Sequence, residues 1–400
     1  MHGGHSGIVL SGGGARGAYE AGIIRGLIDV LGLRASDGPP FTIFTGTSVG
    51  AINATFSAAN VDRGDLNAEQ LVHLWCNLSL ETHLRFDPLR LTGVPQQIRR
   101  WLRLASGVDG LGQSLLDPAP LDAVVRDAIP WSRLHAHAAE GRLRALIIAA
   151  LRIADGRTTI FAELDPRMDF NPTRDPRRRA VRGSITPMHV LASAAIPLIF
   201  PARRVADGWY CDGGLRFNTP IAPAIRAGAE RLLVVSLQHR ASVVPDHVPD
   251  RVYPDPIFLI GKVLNALLLD PVTYDLQVLG RFNKMVEVLE DTLDGPARAK
   301  VDKVLSETRG MPYRKLETLV FSPSEDLGQI AGRHLRGRSI PEIGRLGTWL
   351  LRRAAGRDAT WEVDLASYLL FDGQFAARLI EVGHRDAVQR ADEVKAFFGA

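Results

Sequence analysis

The first sixty residues alternate between short apolar runs and segments with helical spacing. Residues 7–10 and 41–45 are apolar runs too short for helices, so both are predicted to be buried strands. Residues 16–31 carry apolar side chains at the spacing of one helical face, and residues 49–59 predict a second helix. The order strand, helix, strand, helix favours a parallel sheet with helices on both faces.

The rest of the chain continues this pattern and then becomes mostly helical. Residues 66–140 are predicted to be mainly helical, and residues 165–182, rich in Pro, Asp and Arg, are predicted to form a surface loop. Further strands are predicted at 144–153, 158–163 and 232–237, a helix at 187–195, and later helices at 257–269, 272–293, 296–309, 341–355, 362–371 and 373–398. We therefore predict a catalytic domain over 1–240 and a helical C-terminal extension over 241–400, separated by the Pro-rich segment 241–256.

Composition narrows the class of protein. The chain has 400 residues, of which 46% are hydrophobic and 23% charged, values typical of a globular protein. Its net charge is only +4, which does not favour nucleic-acid binding. The first lysine is Lys262, which excludes a P-loop or a Ser-Lys pair in the N-terminal half. Cys76 and Cys211 provide neither a disulfide framework nor a metal site.

Localisation is predicted from what the sequence lacks. The N-terminus has no pattern of a secretory signal, and the longest apolar run, residues 257–269, is too short to cross a bilayer. We expect a cytoplasmic protein, with peripheral membrane contact as an option. The oligomeric state is not predictable from these features.

The predicted turn between residues 45 and 49 contains a candidate nucleophile. Gly46-Thr47-Ser48-Val49-Gly50 has the pattern G-x-S-x-G, in which a serine occupies a strained strand-to-helix turn. Gly46 and Gly50 are expected to leave space where the turn tightens. The helix that follows directs its N-terminal N–H groups towards Ser48, which favours a developing oxyanion.

A glycine-rich loop, Gly12-Gly13-Gly14-Ala15-Arg16-Gly17, follows the first strand. Backbone N–H groups in such a loop can form an oxyanion hole. The same residues also fit the dinucleotide-binding pattern G-x-G-x-x-G, which needs an acidic residue at the end of the second strand. That strand ends in Thr45-Gly46-Thr47-Ser48 without an acid, so the dinucleotide interpretation is disfavoured.

A third motif, Asp212-Gly213-Gly214, supplies a candidate base. Taken alone, Asp followed by two glycines predicts only a turn. Beside a candidate nucleophile, its carboxylate could accept the serine proton, and Gly213 and Gly214 would leave room for substrate.

With these three motifs in this order, the sequence resembles the patatin-like phospholipase family over about residues 5 to 240. The run Ala192-Ser193-Ala194-Ala195-Ile196-Pro197-Leu198-Ile199-Phe200-Pro201 is similar to the family's segment before the aspartate. The resemblance implies a three-layer α/β/α sandwich with a mostly parallel sheet. It also implies lipid acyl hydrolysis by Ser48 and Asp212, an oxyanion hole in the glycine-rich loop, a lipid or phospholipid substrate, and neither metal nor organic cofactor.

Two alternatives stay open. An α/β-hydrolase with a Ser-His-Asp triad would need a late histidine, for which His239 and then His384 are the best placed, while His5 and His189 are weaker choices. A non-catalytic member that binds lipid or a protein partner is disfavoured, because the candidate serine, aspartate and glycines are all present.

Several basic segments are candidates for lipid contact. Arg16 is expected to anchor the glycine-rich loop or to contact an anionic group. The arginine run 174–179 could bind a head group, and residues 98–104 and 346–353 mix Trp and Leu with Arg in the manner of interfacial helices. For each segment, ordinary solvated or packed surface is the competing interpretation.

Overall fold

The computed structural model describes residues 5–79, 114–239, 270–336 and 364–399, apart from positions 36, 38, 39, 115, 169, 171, 172, 174, 198 and 207. The candidate interfacial segments 98–104 and 346–353, the Pro-rich segment 241–256 and the predicted helix 257–269 lie outside the described residues.

The first part of the chain alternates strands and helices as predicted. Its elements are β1 (Ser6–Leu10), α1 (Ala18–Leu31), β2 (Ile43–Thr47), α2 (Val49–Ala59), α3 (Asp65–Cys76), α4 (Ala119–Ala128), α5 (Trp131–Glu140), β3 (Ala145–Arg152), β4 (Thr158–Leu164) and β5 (Arg178–Arg182).

The second part adds four more strands and most of the C-terminal helices. Its elements are α6 (Pro187–Ser193), β6 (Arg203–Val205), β7 (Gly208–Asp212), α7 (Ile221–Arg226), β8 (Arg231–Val235), α8 (Asp270–Thr292), α9 (Gly295–Arg309), β9 (Glu317–Phe321), α10 (Leu327–Arg336), α11 (Asp364–Leu369), α12 (Gly373–Gln389) and α13 (Ala391–Phe398).

The nine strands within the described residues belong to one mixed, mostly parallel sheet. Its main order is β5-β4-β3-β2-β1-β8-β9, and β7 pairs with β3 and β6 outside this path. Strands β3, β2, β1, β8 and β9 run parallel, while β4 and β7 run antiparallel to β3. Ile8 and Leu10 contribute to one buried cluster and Val9 to another, so both faces of β1 are covered. The predicted α/β/α architecture with a helical C-terminal region is confirmed.

Local predictions were wrong in three places. Residues 178–182 form strand β5 rather than loop, since β4 pairs with this arginine-rich segment at the sheet edge. Residues 317–321 form β9 beside β8, a parallel strand that the helical pattern did not predict. The long predicted helix 373–398 is two helices, divided at Arg390.

The C-terminal region packs directly on the first helix. Added Cβ atoms at Gly22 and Gly26 of α1 would lie 2.2 Å from the Ile380 carbonyl oxygen and 2.6 Å from the Ala387 Cβ of α12. Glycine thus allows the two helices to approach closely. The division of the chain near residue 240 stays a prediction, while β9 and α12 contribute to the sheet and core formed by the N-terminal part.

Within the described ranges, no helix combines the length and apolar character required to span a bilayer.

Candidate active site

The topology brings Ser48 and Asp212 to the same end of the sheet. Because β2 and β3 are parallel, their carboxyl ends share one edge, and Thr47 pairs with Ala149. The next residue of β3, Ala150, pairs with Asp212 at the end of β7. Ser48 follows Thr47 directly, and β4 occupies the opposite edge of β3, so the two candidate residues lie at neighbouring levels on the same side of β3.

Ser48 occupies the strained turn between β2 and α2. Its φ of 56° and ψ of −127° are unusual for a residue with a side chain. A Cβ at Gly46 would lie 2.1 Å from the Gly50 carbonyl oxygen, and one at Gly50 would lie 2.3 Å from the Leu10 carbonyl oxygen. Both glycines are therefore required by close backbone contact, as the G-x-S-x-G pattern predicted.

Ser193, the last residue of α6, braces this turn. Its hydroxyl accepts a hydrogen bond from the Ser48 backbone N–H at 3.0 Å and donates to the Ala149 carbonyl oxygen at 2.6 Å. Ser193 is fully buried, so both bonds form away from water. A single side chain thus ties the turn to strand β3.

Asp212 is fully buried and only partly satisfied. Its Oδ1 accepts a hydrogen bond from the Gly214 N–H at 2.7 Å, whereas Oδ2 has no partner of regular hydrogen-bond geometry. Burial raises the pKa of Asp212 to about 7, and hydrogen bonding from the Ser48 hydroxyl and the Gly214 N–H acts in the opposite direction. The Ser48 hydroxyl therefore lies near the carboxyl without a well-aligned bond, as is common for a catalytic pair at rest.

The two glycines after Asp212 have separate roles. Gly214 supplies the N–H donor, while a Cβ at Gly213 would lie 2.3 Å from the Ala149 carbonyl oxygen. Gly213 thus lets the turn pass directly over β3, next to the carbonyl that also binds Ser193.

The glycine-rich loop lies beside Ser48, but its N–H groups are not equivalent. A Cβ at Gly12 would be 3.0 Å from the Ser48 Cβ, and the Gly12 N–H donates to Asn218 Oδ1 at 2.9 Å. The Arg16 N–H donates to the Gly13 carbonyl at 3.2 Å. Across the described part of the chain, no acceptor is found for the N–H groups of Gly13 and Gly14. The predicted hole over residues 12–17 thus loses the N–H groups of Gly12 and Arg16 as free donors and keeps those of Gly13 and Gly14.

Other residues of the loop fix its shape. Asn218 also donates from Nδ2 to the Gly12 carbonyl at 3.2 Å, which holds this glycine from both sides. Ala15 is buried in the core, and a Cβ at Gly17 would lie 2.5 Å from Val49 Cγ2. Gly14 has a φ of +57°, and an added Cβ would lie 2.2 Å from the Tyr368 carbonyl oxygen.

Arg16 anchors the loop to the C-terminal region. Its side chain is 3% exposed, its Nε donates to Ser367 Oγ at 2.7 Å, and its guanidinium lies 4.3 Å from the centroid of the Tyr368 ring. The anchoring interpretation of Arg16 is therefore supported over contact with an anionic substrate group.

A buried polar network lies behind the loop. Asn53 of α2 donates to Glu20 Oε2 at 2.8 Å and to the Gly17 carbonyl at 3.0 Å, and it accepts from Trp75 Nε1 at 3.0 Å. Burial raises the pKa of Glu20 well above its ordinary value, against the hydrogen bond from Asn53. Glu20, Asn53 and Trp75 were not predicted, because none of them lies within one of the three motifs.

An apolar groove begins directly after the candidate nucleophile. It contains about 510 Å³ of empty space, part of it open to solvent, and its lining includes Val49 and Ile52 from the first turn of α2. The remaining lining residues are Asn53, Leu74, Trp75, Leu78, Leu121, Val124, Phe200 and Phe371. The apolar character of this lining suits an apolar ligand.

The four histidines considered for a triad have partners elsewhere. The ring nitrogens of His189 and His239 bond the Thr186 N–H and the Pro323 carbonyl, respectively. His384 pairs with Asp29 at 2.9 Å, and His5 lies 3.5 Å from Thr42 Oγ1. Among the described residues, no hydrogen bond joins a histidine to Ser48 or Asp212, and no cluster of His, Cys, Asp and Glu side chains is arranged as a metal site.

Comparison with known proteins gives one clear match. A family model described as patatin-like phospholipase matches residues 8–225, which is more than half of the chain. None of the curated proteins matches significantly.

Two solved structures resemble the chain only distantly. VipD from Legionella pneumophila is 13% identical with a TM-score of 0.29, and the match covers 93% of this chain and 91% of VipD. Human GIVD cytosolic phospholipase A2, in complex with methyl gamma-linolenyl fluorophosphonate, is 14% identical with a TM-score of 0.43, and the match covers 99% of this chain and 58% of that protein. Both likenesses are too weak to bear on function.

Proposed function

The chain belongs to the patatin-like phospholipase family, and on that premise we propose that it hydrolyses lipid carboxylic esters through Ser48 and Asp212. The observation that carries the proposal is the state of Asp212. Its buried Oδ2 lacks a regular hydrogen-bond partner, its pKa is raised to about 7, and the Ser48 hydroxyl lies beside it. A carboxyl in this state can accept and return a proton near neutral pH.

The acylation half of the reaction uses both residues. Ser48 Oγ attacks the ester carbonyl carbon while its proton passes to Asp212 Oδ2. The N–H groups of Gly13 and Gly14 stabilise the negative oxygen of the tetrahedral intermediate. Collapse of the intermediate breaks the ester bond, and the leaving alcohol takes the proton from Asp212. The fatty acyl group remains on Ser48.

Deacylation repeats these steps with water as the nucleophile. Asp212 accepts a proton from water, hydroxide adds to the acyl carbon, and Ser48 leaves with the proton that Asp212 returns. The fatty acid is released and both residues regain their starting states. In both halves of the reaction, Asp212 thus accepts the proton of the nucleophile and returns it to the leaving group, so the proposed steps need no histidine or metal ion.

The apolar groove is the proposed site for the acyl chain. Val49 immediately follows Ser48, so a chain that enters the groove would bring its carbonyl carbon to the serine. The wall of aliphatic and aromatic side chains favours an acyl chain over a polar leaving group.

Covalent labelling tests this function directly. A fluorophosphonate probe should modify Ser48, identified by tandem mass spectrometry, and Ser48→Ala should lose both labelling and lipid hydrolysis. Asp212→Asn should remove nearly all turnover while the protein still folds, because an amide cannot accept the serine proton. An adduct on another residue, or hydrolysis retained by Ser48→Ala, would refute the assignment.

A further inference from the structure

Two large apolar side chains are exposed at the end of the sheet that carries the candidate active site. Ile153 is 50% exposed and Trp209 is 52% exposed. They are neighbours, since the Ile153 N–H donates to the Trp209 carbonyl oxygen at 2.9 Å. Together they form one apolar patch rather than two isolated exposed residues.

These residues lie on a projecting pair of turns, which we call the hairpin tip. It consists of the turn between β3 and β4 (residues 153–157) and the described residues of the β6–β7 hairpin (203–206, 208 and 209). Trp209 is three residues before Asp212 on β7, which is roughly 10 Å at the rise of a strand. The hairpin tip therefore extends beyond Asp212, on the side away from the body of the sheet.

Arginines surround the patch. Arg204 pairs with Trp209 across the β6–β7 ladder, Arg157 lies in the adjacent turn, and the Arg216 guanidinium lies 3.9 Å from a Cβ built on Gly156. Arg152 lies opposite Tyr210 in the β3–β7 ladder and forms an ion pair with Asp155. By sequence, residues 152–157 and 203–209 contain four arginines and two acidic residues, Asp155 and Asp207. The exposed Arg179 of β5 adds positive charge at the same end, and Arg177, just before β5, pairs with Asp175.

We propose that the hairpin tip is the surface by which this protein docks on an anionic lipid bilayer. Exposed Trp beside an aliphatic side chain is suited to the bilayer interface, where the ring occupies the head-group boundary. The surrounding arginines complement anionic head groups, each contributing favourably within a Debye length of the surface.

The distance from Trp209 to Asp212 fits insertion of the hairpin tip into the bilayer interface. Interfacial side chains enter the head-group and acyl boundary by roughly 5–10 Å. Insertion of Trp209 to that depth brings the level of Asp212 close to the membrane surface, where a lipid ester could reach Ser48. This inference rests on the proposed lipid hydrolase function, but docking can be measured without turnover.

Binding to vesicles by Ser48→Ala protein separates docking from catalysis. Co-sedimentation is measured with vesicles of phosphatidylcholine alone and with vesicles that also contain phosphatidylglycerol. Adding Trp209→Ser or Ile153→Ser to Ser48→Ala should weaken binding to the mixed vesicles by roughly tenfold or more, because each change removes an exposed apolar side chain that docking would bury in the bilayer. Val304→Ser is the matched control, since Val304 is 57% exposed on α9, outside the hairpin tip, and should leave binding unchanged.

Charge reversal tests the electrostatic part. Arg204→Glu with Arg216→Glu should abolish the preference for phosphatidylglycerol and reduce the salt sensitivity of binding. Melting temperatures of all variants are compared with that of the parent protein.

If a serine variant fails to fold, fluorescence quenching still tests whether Trp209 enters the bilayer. Brominated phospholipid should quench the fluorescence of the parent protein, and the conservative Trp209→Phe variant should lose a measurable share of that quenching. Absence of vesicle binding by the parent, equal binding by the Trp209 and control variants, or a change of oligomeric state on loss of Trp209 would overturn the proposal. If binding behaves as expected but wild type and Ser48→Ala hydrolyse lipid equally, the hydrolase proposal fails while the docking surface stands.

Discussion

The Ser193 hydroxyl holds the backbone of Ser48 against the central sheet, through one bond of 3.0 Å to the Ser48 N–H and one of 2.6 Å to the Ala149 carbonyl. The strained conformation of Ser48 is thus supported by a residue 145 positions away in the chain. Positioning of this kind determines where the Ser48 hydroxyl lies relative to Asp212.

We expect Ser193→Ala to lower kcat by roughly tenfold with little change in KM, since loss of a buried partner costs about 1–3 kcal/mol and releases the turn. Steady-state kinetics on a soluble short-chain ester measure the effect. Ser57→Ala is the matched control: Ser57 is equally buried on α2, and its hydroxyl has no partner in the described structure. Equal kcat values for the two variants would show that Ser193 does not position Ser48.

The pKa of Asp212 predicts the pH profile of the reaction. With its pKa raised to about 7, the carboxyl is mostly protonated below neutral pH and cannot accept the Ser48 proton. We expect kcat/KM for a soluble ester to rise about tenfold per pH unit below pH 7 and to level off above it. A profile that stays flat from about pH 5 to pH 9, on folded enzyme, contradicts the assignment of Asp212 as the base.

The same pKa predicts a stability difference between wild type and Asp212→Asn. The folded-state pKa of about 7 exceeds the ordinary value of 3.8, so the stability linked to this group is present below about pH 4 and is lost as pH rises towards 7. Asparagine cannot ionise, and Asp212→Asn should therefore be the more stable protein at pH 8 by up to about 4 kcal/mol. Urea unfolding at pH 4 and pH 8 measures this. An equal stability difference at both pH values would show that folding does not raise the pKa of Asp212.

Gly14→Ala should lower kcat by roughly 10²-fold. The new Cβ would lie 2.2 Å from the Tyr368 carbonyl at a φ of +57°, so the loop must shift and displace a proposed oxyanion donor. Gly32→Ala provides the comparison, because Gly32 has a similar φ of +63° but open space around it. That control should lose about 1 kcal/mol of stability and keep its kcat. Full activity in folded Gly14→Ala would exclude the oxyanion role.

Histidine substitutions should leave turnover largely intact. Replacing His5, His189, His239 and His384 by Gln, one at a time, removes bonds to Thr42, Thr186, Pro323 and Asp29, respectively, none of which is proposed to act in catalysis. Ester hydrolysis and melting temperature are measured together. Complete loss of activity in one variant with unchanged melting would favour a Ser-His-Asp triad instead.

The parts of the site that were predictable carry local signals. Gly46 and Gly50 occupy positions of a tight turn where a side chain would collide with the backbone. The five-residue motif is enough to predict this requirement. The predicted order of strands and helices likewise followed from periodicity. Neither the glycine motif nor the periodicity predicts contacts between residues that are distant in sequence.

The parts that were not predictable depend on distant contacts. Ser193 and Asn218 acquire their roles from Ser48 and Gly12, which lie on separate strands and loops. Strand β5 was missed because its arginines resemble a solvated loop, although pairing with β4 satisfies its backbone at the sheet edge. An ordinary serine, asparagine or arginine shows nothing in its own sequence neighbourhood that distinguishes these positions.

The attachment of Arg16 to the C-terminal region has a consequence for protein synthesis. Ser367 is 351 positions after Arg16, and translation at roughly 5–20 residues per second separates the two by roughly 20–70 s. Ser48 and Asp212 leave the ribosome well before the residues that secure the glycine-rich loop. The nascent chain therefore carries Ser48 before Ser367 can secure the glycine-rich loop, so under the proposed function the order of synthesis delays lipid cleavage until Ser367 has been made.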